Sequence, residues 1–241
     1  MRIKNILLLS ILFINGINAQ FWKEKVFGNG RIVTETRNVG YYDKILVTGA
    51  FDVKIINGDA GEIKIISDEN LINLIETYTR SGKLIIKINR DFEVREYNRL
   101  YVEVPADYLS KISLTGSGHI YNETPFDWKN IKLYLTGSGE IDLDTSIAHL
   151  NALLTGSGEI NLTGKAEILE ANMTGSGVIN AKNLTAREVI CKLTGSGDIY
   201  LIAKEKLDAK VFGSGDVYYY GEPEYLKTKT FGSGDIIYRE L

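Results

Sequence analysis

Seven Gly-Ser-Gly tripeptides begin at Gly116, Gly137, Gly156, Gly175, Gly195, Gly213 and Gly232, and the residues that follow them are His119, Glu140, Glu159, Val178, Asp198, Asp216 and Asp235. Five of the seven are acidic. A carboxylate recurring at one place in a repeat allows three chemistries. Calcium favours several carboxylate and carbonyl oxygens at once, which Asp198, Asp216 and Asp235 would offer together. Neighbouring carboxylates such as Glu140 and Glu159 have the spacing of retaining glycoside hydrolysis. A water-facing acidic edge, which keeps a strand stack soluble and prevents lateral pairing, needs only the charge. Uniformity argues against catalysis, because acid and base work needs two unlike environments and a periodic column repeats one. Two unit charges about 4.8 Å apart repel by roughly 0.9 kcal/mol at the dielectric of water, which a solvated edge tolerates. The acidic positions are therefore candidates for ligand binding, with no catalytic residue, metal or cofactor assigned.

The serines do not form a nucleophilic site. A serine needs a base, and the chain has only His119 and His149. Ser117 and His119 alternate as two exposed positions of one strand. Gly-Ser-Gly lacks the third glycine and helix start of a nucleotide fingerprint. The calcium-binding glycine-rich nonapeptide has about half this period. A second candidate surface is aromatic: Phe212, Tyr218, Tyr219, Tyr220, Tyr225, Phe231 and Tyr238 gather near the end. Phe212 and Phe231 take the outward place that Thr holds in five earlier copies, and should stack on each other. They would meet a sugar ring, a protein or a second copy, unless the terminal segment folds over them as a cap.

The elements that position these residues follow from the period. Successive tripeptides start 21, 19, 19, 20, 18 and 19 residues apart. Such a repeat marks a chain coiled into a stack, each copy burying its apolar face on the next. Side chains on a strand alternate between faces. Around Gly156 one face carries Leu150, Ala152, Leu154, Ile160 and Leu162, the other Asn151, Thr155, Ser157, Glu159 and Asn161. The glycines fall on the inward side, at a tight corner with no room for a Cβ. Seven coils at the strand spacing of about 4.8 Å would run roughly 34 Å. Extra residues belong in outward loops such as 122–130. Upstream, Val-Thr-Gly-Ala-Phe-Asp-Val at 47–53 reads as a decayed copy. Three strand-like runs follow at 62–66, 83–88 and 100–104, with one or two helical turns over 68–76. These are read as irregular coils closing the stack, a separate N-terminal domain being the alternative.

Composition sets the class. With 24 Gly and only 3 Pro among many β-branched residues, the chain is all-β. Arg2 and Lys4, the apolar run 6–14 and small Ala19 read as a cleavable export signal. That run is too short to cross a bilayer, which takes roughly 20 apolar residues. One cysteine, Cys191, makes no internal disulfide and belongs in the core. A net charge of −3 gives no basic field to gather phosphates, and nucleic acid is not an expected partner.

Residues 44–56 with their Val-Thr-Gly-Ala-Phe-Asp-Val core, then Glu69-Asn70-Leu71, then Ser81-Gly82-Lys83-Leu84, then the Leu-Thr-Gly-Ser-Gly series, resemble the putative autotransporter adhesin, head GIN domain family. The resemblance covers nearly the whole mature chain. It implies an exported bacterial protein, commonly from Bacteroidetes-type organisms, with a right-handed parallel β-helix and no catalytic residues to carry over. Phe212 and Phe231 depart mildly from its pattern.

The expected organisation is a signal peptide at 1–19, irregular N-terminal coils and cap at 20–110, and a regular β-helix (β-solenoid) of about 19-residue coils at 111–241. The expected function is non-catalytic and adhesin-like, binding a glycan or protein through Glu140, Glu159, Asp198, Asp216, Asp235, Phe212 and Phe231. The site would be the periplasm, the outer cell surface or the medium, with no membrane span. A carbohydrate-active enzyme and a self-assembling envelope scaffold, a homo-oligomer, are the alternatives.

Overall fold

A computed structural model describes residues 23–240; the export signal expected at 1–19 lies outside the described residues. The regular part is a β-solenoid in which each coil pairs parallel with the next. The strands Glu140–Gly156, Glu159–Gly175, Val178–Gly195 and Asp198–Gly213 each run through most of a turn. Their register places Gly137, Gly156, Gly175, Gly195 and Gly213 over one another. Inside, Leu135, Leu154, Met173, Leu193 and Val211 form one column, none more than 2% exposed. Period-two alternation thus converts directly into a continuous core.

Gly-Ser-Gly is required twice over. The first glycine holds a positive φ, +126° at Gly156, which a Cβ disfavours. A Cβ built there would also stand 2.4 Å from the Gly137 carbonyl oxygen, and one on Gly158 2.5 Å from that of Gly139. Those carbonyls accept the Ser157 and Glu159 amides at 2.9 and 3.0 Å. The corner closes only because the coil below can approach to hydrogen-bond distance.

The decayed copy is a coil of the same stack. Lys44–Gly49 pairs in register with Lys111–Gly116, Thr48 against Thr115 and Gly49 against Gly116, although residues 57–110 intervene. Those residues turn back to close the start. Lys83–Ile88 and Leu100–Pro105 lie parallel on Lys44–Gly49 and Asp52–Ile56. Beyond them the pairing becomes antiparallel: Ile75–Arg80 on Lys83–Ile88, Glu62–Asp68 on Leu100–Pro105, and Ile32–Asn38 on Glu62–Asp68. Ser81 and Gly82, with φ of 52° and 70°, make the two-residue hairpin turn that allows this reversal. An antiparallel strand tolerates water on one face, so it suits a sheet that must end.

One expectation is narrowed and two need correction. Of the one or two helical turns expected over 68–76, a single 3-10 turn forms, Ile72–Leu74, because Ile75 is claimed at once by the strand Ile75–Arg80. The outward loop at 122–130 shrinks to 123–125. Phe126 and Trp128 after it point inward, buried and stacked at 4.2 Å, with the Trp128 indole donating to the Asp107 carbonyl. No terminal segment among the described residues caps the far end, where every residue of Tyr225–Gly232 is exposed. The end is partly polar instead: Thr228 and Thr230 occupy inward positions held one coil earlier by Ala209 and Val211, while Leu226, at the position of Leu207, is left exposed. Lys227 and Lys229 guard the open edge, as charges do on unpaired strands. Cys191 is buried as expected, and burial pushes its thiol up to about 12.

Candidate functional site: the outward ladders beside the glycine corner

Two ladders of outward side chains leave the corner together. The first carries Asp52, His119, Glu140, Glu159, Val178 and Asp198 in register. The second, two residues further along each coil, carries Lys54, Tyr121, Asp142, Asn161, Asn180, Tyr200 and Tyr218. The acidic positions foreseen from sequence therefore do form a column, but their carboxylates are not equivalent. The Asp216 amide donates to the Asp198 carboxylate at 3.2 Å and the Asp235 amide to the Asp216 carboxylate at 2.8 Å. Tyr218 also donates to Asp216, at 3.1 Å. Asp198 and Asp216 thus brace the corners of the last coils, where a short side chain reaches the next amide. Glu140 and Glu159 lie at the other end, in register with each other.

Sequence reasoning missed the polar centre of this face, on the second ladder. His119 Nε2 lies 2.8 Å from Asp142 Oδ2. The Asn161 amide donates to Asp142 at 2.9 Å and to Glu140 at 3.0 Å, and Asn180 donates to the Asn161 oxygen at 3.2 Å. His119, Glu140 and Asp142 bring ligand-type atoms within 4.8 Å of one another, and the hydrogen bonds satisfy these groups internally. Beside them a cleft of about 370 Å³ is lined by Asn122, Asp142, Asp144, Asn161, Asn180 and Asn183 among others. Aromatic rings stand at both ends: Tyr121 stacks on His119 at 4.8 Å, and Tyr200 on Tyr218 at 4.9 Å. The signal that would have found this face is the same parity rule, extended two residues past each acidic position.

Phe212 and Phe231 stack as expected, at 4.9 Å and 10°. They belong to a different face, before the corner, with Lys192 and Lys229 over their rings at 5.3 and 4.7 Å. The predicted residues thus divide between two surfaces.

Proton affinities on the polar face differ. The hydrogen bond to Asp142 holds the His119 imidazole above its ordinary value, against burial. Burial works upward on Asp142, but the bonds from His119 and Asn161 outweigh it and keep the carboxyl below the usual range. Burial, then the Asp142 charge, pushes Glu140 upward. A raised histidine pKa contributes stability fully below the unfolded value of about 6.5 and loses it as pH rises through the native value. Proton NMR should therefore show His119 titrating above that value in the native chain and returning toward it in Asp142→Asn. An unshifted midpoint in both chains would contradict the pair.

Comparison with known proteins comes to the same architecture. A crystal structure described as a putative adhesin from Bacteroides fragilis is 25% identical, with a TM-score of 0.83 over 89% of this chain and 100% of that one. One described as a putative lipid binding protein from Parabacteroides distasonis is 26% identical, with a TM-score of 0.76 over 90% and 100%. A putative adhesin from Parabacteroides merdae, 22% identical with a TM-score of 0.66 over 90% and 99%, shares the fold. A search among curated proteins finds no match. The family described as putative auto-transporter adhesin, head GIN domain, matches residues 41–223, and with that span inside the solenoid the chain belongs to this family.

Proposed function

We propose that the protein is an exported, non-catalytic, adhesin-like binder that holds a glycan along the ladder beside the glycine corner. The observation that carries this reading is the run Asp142, Asn161, Asn180, set between the Tyr121 and Tyr200–Tyr218 stacks. Amides and carboxylates pair with sugar hydroxyls, while tyrosine rings present apolar faces to sugar rings. Glu140 and Glu159 border this surface, Asp198 and Asp216 brace its far end beside Asp235, and Phe212 and Phe231 offer a second contact. In this reading a signal at 1–19 exports the chain, residues 20–110 start and close the stack, and 111–241 display the ladders outside the cytoplasm. No helix among the described residues is long and apolar enough to cross a membrane.

An array of glycans, envelope proteins and lipids probed with the mature chain tests the reading. Glycan hits weakened about tenfold in Tyr200→Ala, the equivalent of about 1.4 kcal/mol, are expected. Hits confined to proteins or lipids would replace the glycan, and silence throughout would end the adhesive reading.

One observation favours a second reading, carbohydrate cleavage: Glu140 is held up and Asp142 down, side by side, as an acid and its partner would be. Asp142 is already engaged by His119 and Asn161, which leaves it a poor nucleophile. Release of reducing ends from a bound glycan, lost in Glu140→Gln, would establish the enzyme instead.

A further inference from the structure

On the other side of the corner, the fold assembles a row of cations that the linear sequence conceals. Arg80 pairs with Lys83, Lys83 with Lys44, Lys44 with Lys111, and Lys111 with Lys132. Five cations stand in single file across adjacent strands, spanning about 19 Å at the inter-strand spacing. Like charges directly opposite one another are destabilising. Yet among the described residues only Lys44 has a carboxylate partner, Asp43 at 2.8 Å. The Lys111 ammonium is set 4.0 Å over the Tyr134 ring. Burial, then its Lys83 and Lys132 neighbours, lowers its proton affinity. The fold does not require lysine at this position, because the same column continues as Asn151, Glu170, Ile190 and Asp208. The parallel ladder beside it carries Ile85, Leu46, Ser113 and Tyr134: the first two and the last are half-buried and offer apolar surface, and the small Ser113 between them is buried.

We propose that this row is a binding site for a linear acidic polysaccharide, lying across the strands with its carboxylate or sulfate groups on Arg80, Lys83, Lys44, Lys111 and Lys132 and its ring faces on the apolar ladder. A single file of charge complements a line of anions. A membrane surface would call for cations spread over a plane, and a duplex for two phosphate rows. The net charge of −3 hides this row, because acids enter the same ladder only beyond Asn151, at Glu170 and Asp208. The site is independent of the Asp142–Asn161–Asn180 face, and either can fail alone.

The test uses polygalacturonate as probe, with neutral dextran, duplex DNA and phosphatidylserine vesicles as the other arms, read by calorimetry at two salt concentrations. Polygalacturonate is expected to bind, dextran at this row not, with affinity falling as salt rises by release of counterions. Lys111→Gln with Lys132→Gln should weaken binding about tenfold or more and shallow the salt dependence. That variant should melt no lower than the native chain, since it relieves repulsion, so lost binding would not report unfolding. Lys210→Gln, four coils beyond Tyr134 on the neighbouring ladder and so outside the row, should leave affinity unchanged. No binding of polygalacturonate, tighter binding of DNA or vesicles, or an unaltered affinity in the double variant would each overturn the proposal.

Discussion

Gly175→Ala is expected to destabilise the solenoid by about 2–6 kcal/mol, the sum of a strained backbone and an overpacked contact. Gly175 holds φ at +130°, and an added Cβ would lie 2.2 Å from the Gly156 carbonyl oxygen and 3.1 Å from its nitrogen. Neither neighbour is a flexible side chain, so relief requires the two coils to part. Parting them breaks the hydrogen bond that the Ser176 amide donates to the Gly156 carbonyl oxygen at 2.9 Å. Two controls separate the contributions. Gly40→Ala carries a φ of +71° with nothing within 4 Å of the new methyl, and should cost only the conformational part, about 1–2 kcal/mol. Ser176→Ala, exposed within the same tripeptide, should stay within about 0.5 kcal/mol of the native chain. Urea unfolding measures the totals, and amide exchange should place the loss of protection in the coils on either side of Gly175, because each coil of a solenoid leans only on its neighbours. If Gly175→Ala cost no more than Gly40→Ala, the close approach of coils would not be what the tripeptide serves.

The inner column Leu135, Leu154, Met173, Leu193 and Val211 was readable because a solenoid places together residues one period apart, and a period is visible in a sequence. The corner was readable for the same reason. What escaped was whatever depends on an unequal separation. Lys44 and Lys111 are adjacent only because residues 57–110 leave the stack and return, so of the basic row only Lys111 and Lys132 follow the period. The antiparallel start escaped because strands 32–38 and 62–68 pair by a reversal that no repeat announces. Asp142 escaped for a different reason. It lies on a visible ladder, but its bond to His119 joins neighbouring coils diagonally, and alternation reports faces rather than diagonals. The aspartates show the opposite failing: Asp198, Asp216 and Asp235 were seen, but a recurring carboxylate looks the same in sequence whether it waits for a ligand or, as in Asp198 and Asp216, holds the next amide.

Asp68→Ala should cost about 2 kcal/mol, since it removes the charged acceptor of three part-buried backbone amides. Asp68 is fully buried where the irregular start is tied together. Its carboxylate takes the Gly30 amide at 2.6 Å, the Asn98 amide at 2.9 Å and the Arg99 amide at 3.5 Å, while Gly28 lies so close that a Cβ would stand 2.6 Å from Asp68 Cγ. One side chain thus joins the segment before Ile32–Asn38 to the segment before Leu100–Pro105. Burial alone would push this carboxyl up, but the Gly30, Asn98 and Arg99 amides prevail and hold it below the usual range. The sign of the pH dependence follows: a lowered native pKa contributes stability that is complete above the unfolded value of about 3.9 and is lost as pH falls through the native value. Asp68→Asn should therefore abolish that part of the acid sensitivity while losing less stability than Asp68→Ala, because one oxygen remains to accept. Acid titration followed by circular dichroism reads the first effect, and amide exchange at 28–31 and 96–99 reads the second. Protection in those two segments should fall together in Asp68→Ala while the coils around Gly175 keep theirs. Loss in one segment without the other would mean that Asp68 does not join them.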